Sequence, residues 1–489
     1  MMKKRLRKFF HRGLWQGLSL AVVFCLLKIA AGGSMVFAQV QDIDSRNEVV
    51  LRPEDRILVL APHPDDEVIG CAGIIQHALK MKLPLKVVFL TYGDNNQWSF
   101  LVYRKHPVLL PKAVQNMGQI RYKEAIAAAE ELGLSPEHLL FLGYPDFRTL
   151  NIWYARWAER PPARSMLTRT TSVPYGNAVR PGALYKGEDI LRDLKDILRD
   201  FKPTKIFLSH PADHNGDHQT FYLFTRVALW DLKGEVDAQL YPYLVHFKRW
   251  PLPRGYRPQE NITPPELFKT QCAWKFLRLS NKEVEVKFAA LKKHWTQYSS
   301  SAKYLVSFVR ENEMFGDFPV IPLSVPAVKD APKVFSADRK SYLEEMPEEL
   351  TDEEKALFVG IEERYMYLED GNIVLSIKLS RPLAEGVSVS VYLFGYRDDV
   401  AFGKMPKLRL RFDPIKHTVY DQNRKLKNKN IKIVRSAKDI IIYVPVSELG
   451  NPQKILTSAR TYSGVIPLDW LSWRTIELSS AGAGRGRDR

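Results

Sequence analysis

Cysteine is scarce in this sequence, and its scarcity excludes a disulfide framework. The 489 residues contain three cysteines, and one of them, Cys25, lies in an apolar stretch close to the N-terminus. Of the others, Cys272 and Cys71, the second lies among small apolar residues, as a buried free thiol does. Collagen-like and low-complexity bias are also absent, and 45% of the residues are hydrophobic. The chain is therefore of globular type, and its length favours two domains.

Acidic residues are absent from residues 1–38, where seven lysines and arginines occur. An apolar run at residues 18–27 and the sequence VFA, which ends at Ala38, complete this segment. The order is typical of a secretory signal peptide cleaved after Ala38. An uncleaved membrane anchor is the alternative, although the run ends at Lys28 and is short for a bilayer span of roughly 20 residues. We therefore predict an exported protein, either periplasmic, held in the cell envelope or secreted.

Positive charge exceeds negative charge over the whole chain, with 72 Lys and Arg against 55 Asp and Glu and a net charge of +17. Such a surplus fits an anionic envelope or polysaccharide surface, and it also keeps a protein in solution. No motif of a nucleic-acid-binding protein accompanies it, so we expect no nucleic-acid partner. Nothing in the sequence selects an oligomeric state.

Short apolar runs alternate with amphipathic helical patterns between residues 56 and 209. The predicted strands are RILVL, LKVVFLT, HLLFLGYPD and TKIFLSH. The predicted helices between them are residues 68–81, QIRYKEAIAAAEELG and GEDILRDLKDILRDF. Continuously apolar strands separated by such helices predict an α/β fold, a Rossmann-like, mostly parallel sheet with helices on both faces.

The rest of the chain changes character twice. Residues 151–187 read as a long loop, and a strand with a Pro-rich turn and a long helix near 282–312 follow later. From about residue 356, apolar and polar residues alternate with period two, which predicts a C-terminal antiparallel β-sandwich domain. The predicted units are a signal peptide or anchor at 1–38, an α/β domain at 50–315, a linker at 316–355, a β-sandwich module at 356–479 and a disordered tail at 480–489.

Three consecutive acids follow the first predicted strand, in the sequence APHPDDEVIGCAG at residues 61–73. Parallel sheets bind ligands at the carboxyl ends of their strands, where His63, Asp65 and Asp66 fall. Consecutive side chains point in different directions there, so Asp66 is able to join His63 on a metal while Asp65 stands beside it. The alternative is a helix N-terminus, where acids complement the helix dipole.

A second cluster, HPADHNGDH at residues 210–218, follows a later strand of the same sheet. Two histidine nitrogens and one carboxylate oxygen, with a position left open for water, form a catalytic zinc shell. A structural zinc site closes its shell with a fourth ligand, often cysteine, and no cysteine pair is available. Iron(II) accepts the same ligands. Solvated loop histidines are the alternative interpretation.

Together the two motifs resemble the PIG-L/LmbE-like family of zinc-dependent N-acetylglucosaminyl deacetylases, over roughly residues 50–310. The segments RYKEAIAAAEELG, FLGYPD and YLVHFKRWPLP stand where that family carries similar ones. The resemblance implies that zinc is bound by His63, Asp66 and His218. It also implies that Asp65 is the general base.

One position departs from the family pattern. Many members carry HPDH in the second motif, where the first histidine stabilises the oxyanion or protonates the leaving amine, and Asn215 stands at that position here. Asparagine donates a hydrogen bond but is not an acid. His214 and His246 are the candidates to take over the role, and His214 is also an alternative to His218 as ligand. For Glu67 we expect a capping or ligand-orienting role.

Two further positions match the family on weaker signals. The resemblance implies that Arg121 faces the substrate and that Asp146 contacts sugar hydroxyls. The alternatives are a surface salt bridge between Arg121 and Glu124 and a turn-forming role for Asp146.

The C-terminal sequence PLDWLSWRTIEL resembles the closing strand of some carbohydrate-binding sandwiches. In that interpretation Trp470 and Trp473 stack on sugars, whereas in the alternative they are core residues.

The resemblance as a whole implies an exported hydrolase that removes the acetyl group from an N-acetylglucosamine-type sugar, within a glycan or polysaccharide, by zinc-activated water. One alternative is a non-catalytic carbohydrate-binding envelope protein on the same fold. The other is a zinc amidase or esterase that acts on a different acyl group.

Overall fold

A computed structural model describes residues 47–95, 110–323, 335–336, 350–427 and 430–478. The predicted signal peptide, the predicted tail and most of the predicted linker lie outside the described residues. In the part of the chain that is described, no helix has the length and apolar character needed to cross a membrane.

A five-stranded parallel sheet forms the N-terminal half, as the apolar runs predict. Its strands stand in the order β3-β2-β1-β4-β5, and every neighbouring pair is parallel. The central strand, β1, and its neighbour β4 are buried along their whole length. The strands are β1 (Ile57–Ala61), β2 (Leu85–Phe89), β3 (Leu139–Phe141), β4 (Lys205–Ser209) and β5 (Gln239–Tyr243).

Helices connect these strands. They are α1 (Asp66–Lys80), α2 (Pro111–Glu131), α3 (Thr149–Ala155), α4 (Gly187–Phe201) and α5 (Gly216–Asp231). Helix α2 begins eight residues before the predicted helix, because Pro111 occupies its first turn, where no amide hydrogen bond is lost. The predicted loop at 151–187 begins inside α3, where Ile152 and Trp153 are buried.

The prediction of one long helix near 282–312 is wrong. The structure has two helices, α6 (Asn281–Lys293) and α7 (Trp295–Leu305), and they are separated at His294, whose ψ of 58° is not helical. The His294 ring is fully buried and contacts a carboxylate, a polar interaction that helical periodicity does not encode. A strand then follows, β7 (Asn312–Phe315), which pairs antiparallel with β6 (Lys275–Arg278).

The C-terminal part contains two sheets around a second hydrophobic core, and their strands are antiparallel except for one pair, as the period-two alternation predicts. One sheet has the order β16-β17-β11-β10-β9, and the other has the order β15-β14-β13-β12-β18-β20-β8, with β19 paired to β18. Strand β8 lies in the predicted linker, and it pairs in parallel with β20. The elements are β8 (Ile321–Leu323), β9 (Phe335–Ser336), α8 (Asp352–Ala356), β10 (Ile361–Glu369), β11 (Asn372–Leu379), β12 (Val387–Tyr396), β13 (Lys407–Phe412), β14 (His417–Asp421), β15 (Arg424–Leu426), β16 (Lys432–Arg435), β17 (Asp439–Pro445), β18 (Lys454–Ser463), β19 (Ile466–Trp470) and β20 (Arg474–Leu478).

An aromatic layer joins the β-sandwich to the α/β part. The ring of Trp153, on α3, lies 5.7 Å from Phe394, 5.3 Å from Phe402 and 6.4 Å from Trp473, centroid to centroid. Trp473 is only 1% exposed, so it is a core residue, and the interpretation that it stacks on sugars is wrong. Trp470 is half-buried.

Candidate metal centre

Three side-chain atoms from the two sequence motifs converge at the carboxyl ends of β1 and β4. His63 Nδ1 lies 3.2 Å from Asp66 Oδ2, and His218 Nε2 lies 3.1 Å from the same oxygen. The two nitrogens are 3.3 Å apart. All three residues are buried, so two loops that are far apart in sequence form one compact cluster.

The size and charge of this cluster fit a tetrahedral cation. Bonds of about 2.0–2.1 Å from zinc to nitrogen and oxygen place neighbouring ligand atoms about 3.3 Å apart, which the three measured separations approach. Two nitrogens and a carboxylate oxygen are also the donors that zinc and iron(II) accept. The carboxylates of Asp66 and of its buried neighbours need a cation beside them, because an isolated buried carboxylate is costly. The residues present therefore fit a catalytic metal.

The second ring nitrogen of His218 faces another carboxylate. His218 Nδ1 lies 3.1 Å from Asp213 Oδ2, and that oxygen also accepts backbone N–H groups from Val245 at 3.1 Å and His246 at 2.9 Å. Burial lowers the pKa of His218, but the carboxylates of Asp213 and Asp66 outweigh it and raise the pKa to about 9. Such a carboxylate fixes the orientation of a ligating histidine.

His63 has the same kind of support on its other nitrogen. His63 Nε2 lies 3.2 Å from Asp146 Oδ1 and 3.3 Å from Asp217 Oδ2. Asp217 Oδ2 also accepts a 2.6 Å hydrogen bond from the backbone N–H of Phe147, and Thr149 donates its hydroxyl to the other oxygen. Asp217 therefore links the ring of His63 to the chain that follows β3.

Asp65 stands beside the cluster in an unusual backbone conformation. Its φ of +137° lies in a region that side chains other than glycine rarely adopt, and its backbone N–H donates to Glu67 Oε2 at 2.9 Å. Arg121 NH2 is 3.5 Å from Asp65 Oδ2 and donates to the carbonyl of Pro64 at 2.6 Å. Burial raises the pKa of Asp65 to about 7, against the opposing charge of Arg121. A carboxylate with such a pKa is able to accept and return a proton near neutral pH.

A cavity of about 120 Å³ opens onto the cluster. Two residues of the cluster, His63 and Asp66, line it, together with five more of the residues that the sequence singles out, which are Asp65, Arg121, Asp146, Asn215 and His246. Helix α7 contributes Gln297, Ser301 and Tyr304 to the lining. Phe147, which is 56% exposed, is also part of the lining.

The structure separates the three candidates for the oxyanion role. His246 lines the cavity, and burial lowers its pKa to about 4, so its ring is neutral at neutral pH. Asn215 also lines the cavity while its side-chain oxygen caps α5 by accepting the N–H of Asp217 at 2.8 Å. The ring of His214 is elsewhere, against Phe247 at 4.9 Å and Trp470 at 4.4 Å. His214 is therefore not brought to the cluster, either as a donor or as a ligand.

Arg121 is buried at the site, and the surface salt bridge with Glu124 is not formed. Arg121 NH1 donates to the carbonyl of Gly93 at 2.9 Å, whereas Glu124 accepts from the backbone and hydroxyl of Thr296 at 2.8 and 2.7 Å. Asp146 is buried as well, and its Oδ2 accepts the backbone N–H of Asn95 at 2.9 Å.

Sequence reasoning missed Asp213, Asp217 and His294. Asp213 and Asp217 lie inside the second motif, five residues and one residue before His218, and this closeness was the available signal. His294 gives no such signal, because its contact with Glu67, 2.7 Å from Nε2 to Oε1, spans 227 residues.

Residues 58–229 match the protein-family model described as PIG-L: GlcNAc-PI de-N-acetylase. The matched segment contains both motifs and the whole cluster of three ligand atoms, and it ends within α5. The match confirms the family resemblance for this part of the chain and does not extend to the β-sandwich. No curated protein matches the chain at a significant level.

Solved structures resemble the chain at low identity. N,N'-diacetylchitobiose deacetylase from Pyrococcus horikoshii is 18% identical, with 51% of this chain and 75% of that chain covered and a TM-score of 0.31. The A40926 pseudoaglycone deacetylase is 16% identical, with coverages of 54% and 96% and a TM-score of 0.34. A 4-carboxy-2-hydroxymuconate hydratase from Pseudomonas putida is 20% identical, with coverages of 54% and 98% and a TM-score of 0.32. Values this low assign no activity, and these proteins include a hydratase beside the deacetylases.

Proposed function

We propose that this protein, whose residues 58–229 belong to the PIG-L family, is a metal-dependent deacetylase that removes the acetyl group from an N-acetylglucosamine-type sugar. The observation that carries the proposal is the convergence of His63 Nδ1, Asp66 Oδ2 and His218 Nε2 within 3.1–3.3 Å of one another. His63 and Asp66 of this cluster line a cavity, and Asp65 lines it beside them. His63 and Asp66 also line this cavity, so a metal held by the cluster would be accessible to a substrate.

His63, Asp66 and His218 would hold the metal, which we propose to be zinc, and iron(II) suits the same donors. When bound, such an ion supplies Lewis acidity, which polarises an acyl carbonyl and makes water more acidic. Asp213 and Asp217 orient the rings of His218 and His63 by contacting the ring nitrogen of each that does not face the metal position.

Asp65 moves the proton in this reaction. Its carboxylate accepts a proton from water as the water oxygen attacks the amide carbonyl, and Arg121 holds the loop by its bond to Pro64. The protonated Asp65 then gives that proton to the sugar nitrogen as the carbon–nitrogen bond breaks. The products are acetic acid and a free amino sugar, the acid then ionises to acetate near neutral pH, and Asp65 ends as it began. Asn215 and His246, both in the cavity wall, donate hydrogen bonds to the oxygen on which negative charge develops.

For the substrate, we propose an N-acetylated amino sugar within a glycan or polysaccharide. Arg121 and Asp146 provide a cation and an anion in the cavity wall, a combination that suits sugar hydroxyls. The basic, acid-free segment at residues 1–38 supports export, and export would bring the enzyme to an envelope glycan.

The test measures bound metal and released acetate together, for the wild type and for Asp65→Asn. We expect about one metal ion in both proteins and acetate from the wild type alone, with N-acetylglucosamine oligomers as the substrate. Metal in both proteins and acetate from neither, on any N-acetylhexosamine glycan, would overturn the deacetylase assignment. Release of another acid from a differently acylated amide or ester, with no acetate from any N-acetylhexosamine glycan, would indicate an amidase or esterase.

A further inference from the structure

The C-terminal β-sandwich touches the loop that carries the metal ligand His218. The backbone N–H of Trp473 donates to the carbonyl of Pro211 at 3.3 Å, and the ring of Trp470 packs edge-on against His214 at 4.4 Å. Arg460, in β18, donates from NH2 to the side-chain oxygen of Gln219. All three contacts fall on residues 210–219, which we call the second metal loop.

The contact through Arg460 continues to the metal ligand. Gln219, which is 2% exposed, receives the Arg460 hydrogen bond on Oε1 and donates from Nε2 to the carbonyl of Asp213 at 2.5 Å. The carboxylate of Asp213 lies 3.1 Å from His218 Nδ1. A continuous series of polar contacts therefore runs from the β-sandwich to the ring that would bind the metal.

The physical chemistry of these groups makes the series rigid. Arg460 is 7% exposed, and a buried charge is stable only when hydrogen bonds compensate for the lost water. Its bond to Gln219 is charge-assisted and hence stronger than a bond between neutral groups. Because both ends of the Gln219 amide are engaged, its orientation is fixed, and it holds the Asp213 carbonyl where α5 begins.

We propose that Arg460 is a positioning residue for His218, acting through Gln219 and Asp213, and that the β-sandwich thereby completes the metal centre of the α/β part. The proposal rests on the metal-binding role given above and is independent of the substrate. It gives the β-sandwich, which lies outside the family match at residues 58–229, a role in the metal centre.

The first test compares zinc affinities of the full chain. Arg460→Met keeps the length and apolar stem of the side chain and removes its bond to Gln219. Arg411→Met is the matched control, since Arg411 lies in β13 and bonds to Asp413 within the sandwich. We expect Arg460→Met to raise the zinc dissociation constant, measured against a chromogenic chelator, about tenfold, at the low end of the effect of outer metal-site residues. Arg460→Lys, which keeps a donor, should restore most of the affinity.

A second variant keeps the proposal testable should Arg460→Met fail to fold. Gln219→Glu keeps the size of the side chain and strengthens its pairing with Arg460, but it has no N–H for the Asp213 carbonyl. We expect it to lose zinc affinity about tenfold and to alter the visible spectrum of the cobalt(II)-substituted protein. Zinc affinity and cobalt spectrum both unchanged in Gln219→Glu would overturn the proposal. Equal zinc affinities in Arg460→Met and Arg411→Met would overturn it as well.

These readouts separate this proposal from the proposed function. A wild type that binds zinc but releases no acetate would refute the deacetylase assignment, and the affinities of the variants would still test Arg460. Conversely, an active wild type whose Arg460 and Gln219 variants bind zinc normally would refute the positioning role alone.

Discussion

His294 Nε2 lies 2.7 Å from Glu67 Oε1, and both side chains are buried. Because a carboxylate only accepts hydrogen bonds, this nitrogen is the donor. The other oxygen of Glu67 accepts the backbone N–H of Asp65 at 2.9 Å, at the residue whose φ is +137°. Glu67 thus contacts His294, which lies between α6 and α7, with one carboxylate oxygen and the proposed base Asp65 with the other.

This relationship predicts the effect of Glu67→Gln. An amide has a single acceptor oxygen, so it does not accept from both the Asp65 N–H and His294 Nε2 as the carboxylate does, and we expect the Asp65 carboxylate to shift. We expect kcat for acetate release to fall about 10- to 100-fold while zinc content stays the same, since a shift of about 1 Å has that effect on rate. The control is Glu131→Gln, at a surface pair with Lys293. Loss of zinc with loss of activity would assign Glu67 to the metal instead.

Asp217 supports a second prediction. Replacing it with asparagine removes the negative charge beside His63 Nε2 and weakens the anchor of the Phe147 backbone. We expect zinc affinity to fall about 10- to 100-fold. Asp231→Asn, on the same helix but paired with Lys195 at the surface, should bind zinc as the wild type does. Equal affinities in the two variants would show that Asp217 does not support the metal site.

Phe147 supports a third prediction, about strain. Its φ of +57° is left-handed, which a bulky side chain adopts at a cost of about 1–2 kcal/mol. Phe147→Gly and Phe147→Ala both remove the ring, but only glycine removes the strain. We therefore expect the glycine variant to unfold with a free energy about 1 kcal/mol higher than the alanine variant, measured by urea denaturation. Equal stabilities would mean that the backbone relaxes once the ring is gone.

The sequence predicted the cluster itself because its signals are local. His63 and Asp66 directly follow one apolar strand, and His218 follows another, so parallel pairing in one sheet brings them to the same edge. The choice of His218 over His214 has a structural reason as well. Asn215 caps α5, so His218 lies in the first turn of the helix and points to the site, whereas His214 precedes the cap and packs against Trp470.

Two of the supporting residues, Arg460 and His294, escaped sequence reasoning because their partners are distant in the chain. The contact between Arg460 and Gln219 spans 241 residues, and the one between His294 and Glu67 spans 227. Each is a buried polar pair whose interaction energy depends on the exclusion of water. Neither pair follows the residue spacing of a helix or a strand. The same reason applies to the single helix predicted near 282–312. The apolar spacing continues through His294, and the contact of His294 with Glu67 at the break is not visible in that spacing.

Metal removal gives the last prediction. The carboxylates of Asp66, Asp213 and Asp217 are buried. A cation bound among them therefore stabilises the folded protein. Zinc that binds only the folded chain, at a free concentration about 100 times its dissociation constant, should raise the free energy of unfolding by about 2.7 kcal/mol. In His218→Ala the rise should be largely lost, because one ligand nitrogen is missing, whereas His138→Ala, at an exposed histidine, should keep it. Thermal or urea unfolding with zinc and with a chelator measures the difference. An equal rise in both variants would place the stabilising ion somewhere other than this cluster.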